Sequence, residues 1–118
     1  MEFANWKTPA AFDTEAWKVT KRDNRMVSLQ KDMQLDNYAG TRLSLSVDRD
    51  INILSRAEID STLELQDTSI RVVGYGTHNV LTNKGTDAWT EKTGMPCIWM
   101  LDMFNPSPST VIVIPHKR

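Results

Sequence analysis

Of 118 residues only one is cysteine, two are histidine and five are glycine. The single thiol, Cys97, forbids an intrachain disulfide and gives no reason to expect an oxidising compartment. It lies inside an apolar run and reads as a small buried hydrophobe rather than a nucleophile. His78 and His116 cannot build a three-histidine zinc centre, and no His/Cys/carboxylate spacing suits a metal; no metal or cofactor is expected. Gly74-Tyr75-Gly76 lacks the third glycine of a dinucleotide loop and reads as a strand bulge or bend. No Gly-x-Ser-x-Gly turn is present to raise a nucleophilic serine. An excess of charge is missing too: 14 Lys and Arg against 15 Asp and Glu leave a net charge of −1. The only basic cluster is His116-Lys117-Arg118, so a nucleic-acid partner is not expected. No run approaches the roughly 18 apolar residues of a membrane helix, so no membrane partner is expected. The opening MEFANWKTPA shows no basic stretch followed by an apolar one, so no secretory signal is expected either.

What is present suits one globular domain over residues 1–118, long enough to bury a core without disulfides or metals. The clearest pattern is TRLSLSVDR, Thr41 to Arg49. Leu43, Leu45 and Val47 point one way and Arg42, Ser44, Ser46 and Asp48 the other, predicting a half-buried strand; Ile51, Ile53 and Leu54 extend the apolar series. Upstream, Trp17–Thr20 and Met26–Gln30 flank the polar Lys21–Arg25 and predict a hairpin, continued through Asp36 to a turn at Asn37-Tyr38-Ala39-Gly40. Residues 1–16, with Phe3, Trp6 and Phe12, suggest an extended lead-in. Ser55 with Glu58 three residues later predicts a capping box and a short helix carrying Ile59 and Leu63 on one face. Ile70–Tyr75 and Val80–Thr82 follow as short strands, with a turn at Asn83-Lys84-Gly85 in which Gly85 would take positive φ. Last, CIWMLDMF (Cys97–Phe104) and TVIVIP (Thr110–Pro115) flank a Pro/Ser loop and predict a hairpin buried on both faces. Seven to nine short strands and one short helix make a mainly-β fold. The alternation in the middle and the continuous runs at the end suggest an antiparallel β-sandwich; a small closed barrel would give a similar string, which periodicity alone does not separate.

Polar groups cluster in GYGTHNVLTN, Gly74–Asn83. Tyr75, His78, Asn79 and Asn83 are candidate ligand-binding residues there, against a plainer reading as turn chemistry. Trp6, Trp17 and Trp99 sit among apolar neighbours and read as core, whereas Trp89, amid polar residues, is the candidate exposed platform for a sugar ring. Met95, Met100 and Met103 read as core filler. Asp102 interrupts the apolar run, and a carboxylate in a covered strand must be paired or line a cleft. Arg49 and Asp48 are weaker candidates of the same kind.

Residues 76–115, GTHNVLTNKGTDAW…TGMPCIWMLDMFNPSPSTVIVIP, with EAWKV around Trp17 and NYAGTRLSLSVDRDINIL (Asn37–Leu54), resemble uncharacterised bacterial proteins related to the galactose mutarotase-like superfamily. The resemblance implies a β-supersandwich, of which this chain looks like a part, with a concave face that holds carbohydrate. It places His78, Asn79 and Asn83 near the sugar. In aldose 1-epimerases a histidine acts as acid and a glutamate as base; His78 matches the former, and the latter falls beyond Arg118. The expectation is therefore carbohydrate binding without a complete catalytic site, and no catalytic residue is assigned. A calycin-like small barrel binding an apolar ligand and a remnant epimerase are the alternatives. Half a supersandwich leaves an apolar face and sheet edges uncovered, so a homodimer is expected.

Overall fold

The computed structural model describes residues 8–114. Phe3, Trp6, Pro115 and His116 lie outside that range. The elements run α1 (Ala10–Asp13), β1 (Lys18–Arg22), β2 (Met26–Asp36), β3 (Arg42–Ile53), α2 (Arg56–Leu63) and β4 (Tyr75–Asn83). All four strands pair antiparallel in one sheet of order β1-β2-β3-β4. The fold is mainly β and antiparallel, consistent with the sandwich-like class expected.

β3 organises the sheet because its alternation is the cleanest. Leu45 and Val47 are fully buried and Leu43 nearly so, joined by Met33 of β2. Each such side chain contributes about 1.5–3 kcal/mol relative to full exposure. Cross-strand partners share a face, so Leu35, Met33, Lys31, Leu29 and Val27 lie on the same side as Leu43 through Ile51. From β4 the partners on that side are Asn83, Leu81, Asn79, Thr77 and Tyr75. The opposite face is polar; its one buried residue, Ser46, accepts a hydrogen bond from Gln30 Nε2 at 2.9 Å.

Turns follow their residues. At Asn37–Gly40 the Gly40 N–H donates to Asn37 O at 2.9 Å, and Gly40 takes φ +80°, where a side chain is disfavoured. Thr20 is the extra residue where the β1–β2 register slips between Val19 and Lys21, a bulge that twists this edge. α2 starts on the expected capping box. Ile59 is buried and Leu63 half exposed, so the helix contributes one anchor rather than a stripe. Ile59 meets Gly74 so closely that a Cβ there would lie 2.9 Å from Ile59 Cγ1.

Several expectations are corrected. The lead-in is not wholly extended: Ala10–Asp13 form a helical turn, making two short helices. Four strands are present among the described residues, because Tyr75–Asn83 is one continuous strand and 70–74 is irregular. Arg56 explains the latter: its Nη1 donates to Ile70 O at 2.7 Å and its Nη2 to Asp67 O at 2.8 Å, holding that loop to the helix. Gly85 does not take positive φ; the Asn83 side chain closes the turn instead, accepting from the Gly85 N–H at 2.9 Å. The closing hairpin does not form. Residues 97–104 and 110–114 carry no ladder, Cys97 is exposed, and Trp99 and Ile112 are 66% and 82% exposed. Met95, Met100 and Met103 are likewise exposed rather than core. These runs have strand-like composition, but a strand forms only where a neighbouring strand meets its backbone groups, and neither run joins the four-stranded sheet.

The capping box makes a pH prediction. Ser55 Oγ and the Ser55 N–H each donate to Glu58 at 2.6 Å and Arg25 Nη2 donates at 2.9 Å, holding the carboxyl down at about 2. A depressed folded-state value means stability that is present above the ordinary 4.5 and is lost as pH falls through about 2. The urea midpoint should fall across that window, and Glu58→Gln should flatten the fall; an unchanged slope in the variant would remove this assignment.

Candidate functional site

The inner face of the sheet is covered unevenly, and the uncovered part is the candidate site. Over Leu43, Leu45, Val47 and Met33 pack Ala11, Trp17, Trp89 and Ile98. Trp17 is fixed by its Nε1–H, which donates to Ala11 O at 3.1 Å, and by Phe12, ring centroids 6.3 Å apart. Lys31 draws the lead-in across the sheet, donating to Glu15 Oε2 at 2.7 Å and Ala16 O at 3.1 Å. Beyond this cover the face continues along β3 and β4 as Arg49, Ile51, Asn79, Thr77 and Tyr75.

The polar groups of that stretch are linked. Arg49 Nε donates to Asn79 Oδ1 at 2.7 Å, and the Arg49 guanidinium carbon lies 5.6 Å from the Trp17 ring centre, a cation–π arrangement. Asn79 Nδ2 approaches Thr77 Oγ1 at 3.4 Å and Met100 Sδ at 3.8 Å. Tyr75 donates its hydroxyl to Asp102 Oδ1 at 3.0 Å. Residues 98–102 thus run over β4, with Met100 and Asp102 directed at the sheet. The arrangement offers an exposed aromatic ring, a carboxylate, an amide and a guanidinium on one surface.

Tyr75, Asn79 and Asp102 are therefore brought together, and the other three candidates are not. His78 lies on β4 opposite Asp50 and, by strand alternation, on the other face from Asn79. Asn83 serves the turn, its Nδ2 also donating to Asp87 O at 2.8 Å. Trp89 is not an exposed platform; it is half-buried against the core. Asp102 is not in a covered strand but exposed, and its partner is a tyrosine rather than an arginine. Arg49 earns a central place, and the roles of Thr77, Met100 and Trp17 were missed. Reading Tyr75–Asn83 as one strand would have set residues 75, 77 and 79 on the face of Arg49.

Among the described residues no group of three His, Cys, Asp or Glu side chains could hold a metal. A depression of about 570 Å³ lies at the β1–β2 turn, lined by Arg25, Met26, Asn52, Ile53 and Glu58 among others. Its charges already satisfy one another, Arg25 donating to Glu58 and to Ile53 O at 2.9 Å each, so the sheet face is the better candidate.

A mainly-β domain with a half-open sheet face is the class these features define. The chain belongs to a family of unknown function, DUF6786, which matches it over residues 1–118. No curated protein and no solved structure matches it.

The Asp102 carboxylate beside the Tyr75 hydroxyl raises the phenol above its ordinary 10.0, because it accepts a hydrogen bond from the neutral O–H and its charge opposes a phenolate. Asp102→Asn should lower the midpoint of Tyr75 ionisation, followed by tyrosinate ultraviolet absorbance in a Tyr38→Phe background. An unmoved midpoint would show that the pair does not form in solution.

Proposed function

We propose that this chain is a carbohydrate-binding β domain of galactose mutarotase-like type, with the sugar held on the open half of the inner face. The observation that carries the reading is that the Tyr75–Asp102 pair shares one surface with Asn79 and Arg49. Sugars present apolar C–H faces and many hydroxyls; an aromatic ring supplies the complement to the first, and planar polar side chains the complement to the second. His78 faces the other way, so the geometry favours binding over acid–base chemistry at this site. Titration with glucose, galactose and their oligosaccharides, followed by tryptophan fluorescence, should give a saturable response. Tyr75→Ala should weaken it about tenfold, corresponding to about 1.4 kcal/mol. A folded protein silent across that panel would defeat the reading.

A second proposal concerns a partner, which we take to be another copy of this chain. Leu101, Met103, Phe104 and residues 111–114 are between 66% and 85% exposed. Large apolar side chains exposed at this density along one stretch of chain mark an interaction surface. Met100 and Asp102 face the sheet, so Leu101 and Met103 face outward. A second copy related by a two-fold axis would cover these side chains with the same apolar surface. Light scattering should report twice the mass of one chain, reduced towards the monomer by Leu101→Asp and Ile112→Asp. A monomer at high concentration for the unaltered protein would count decisively against it.

A further inference from the structure

Resting on the carbohydrate reading, we infer that the ligand of this face is an acidic sugar whose carboxylate is taken by Arg49. Four ion pairs are formed among the described residues: Arg25 with Glu58, Lys31 with Glu15, Arg42 with Asp36 and Arg56 with Asp60. Arg49 is in none of them, although it is half-buried in the middle of the sheet. Its sequence neighbours Asp48 and Asp50 project to the other face by strand alternation. One of its five N–H donors goes to Asn79; the four on Nη1 and Nη2 meet no acceptor among the described residues.

A half-buried guanidinium with no anion beside it loses hydration that nothing fully replaces, and the Trp17 ring offsets only part of that. Held by Asn79 at Nε and by the ring, the fork is oriented before any ligand arrives. A planar carboxylate is the group that meets two parallel N–H donors at once. Tyr75 lies four residues along β4 from Asn79, about 13 Å in an extended strand. Asp102, bonded to Tyr75, is therefore far enough away not to repel that carboxylate, and only an oligosaccharide extending along the strand would bring neutral hydroxyls to it. The class is a uronic acid or an oligosaccharide ending in one.

The test compares glucuronate with glucose on the intact chain, by tryptophan fluorescence. Glucuronate should bind at least about tenfold more tightly, and sodium chloride raised from about 0.05 M to about 0.5 M should weaken glucuronate more than glucose. Arg49→Met, which keeps the apolar stem, should bring the ratio of the two affinities close to one; Arg49→Lys should leave it between. If the methionine variant does not fold, the salt response of the unaltered protein decides. Equal affinities, a salt-indifferent preference, or a preference surviving in a folded Arg49→Met each overturn the charge assignment while leaving sugar binding intact. Binding of neither sugar overturns both.

Discussion

Pairing of β3 on both sides is the constraint on which the remainder depends. A strand with neighbours at each edge has its backbone groups satisfied along its length, so its side chains alone decide which face is dry. Leu43, Leu45 and Val47 settle that choice, and Met33 and Leu81 follow by register. A slip of one residue would carry these apolar side chains to the wet face and put Ser44, Ser46 and Asp48 in the core. The same register puts Arg49 on the apolar side, two residues beyond Val47.

The site arises from incomplete cover. α1, Trp17 and Trp89 close the half of the face that holds the aliphatic core, and Lys31 pins the lead-in there through Glu15 and Ala16. The other half keeps polar groups, which bond to one another and to Met100 and Asp102 of the segment that crosses them. Trp17 belongs to both halves, packing against the core cluster on one side and standing near Arg49 on the other. Core packing and the orientation of a functional cation are thus coupled through one side chain.

Legibility of the fold followed the range of the interactions involved. The β1–β2 and β2–β3 hairpins, the turn at Asn37–Gly40 and the capping box at Ser55 rest on neighbours in sequence, and each was readable from residue type and spacing. The closing hairpin was not, because apolar content around Trp99 and Ile112 reports a tendency to pair without naming a partner. β4 was half readable: Gly76 and the polar residues after it interrupt the apolar signal, and only the partner β3 shows that Tyr75–Asn83 is one strand. The site suffered for the same reason. Tyr75, Asn79 and Asp102 were found by residue type, but the split strand left His78 and Asn79 reading as convergent.

By itself the sequence determined a mainly-β chain, its dry strand face, its local turns and caps, and the absence of any disulfide within it. Those are consequences of side-chain period and backbone preference, both local. Tertiary structure decided that residues from the lead-in, β3, β4 and the 98–102 segment share one surface, that His78 is turned from it, and that Trp89 is packed rather than presented. These depend on register and cover between segments distant in the chain, which no spacing along it encodes.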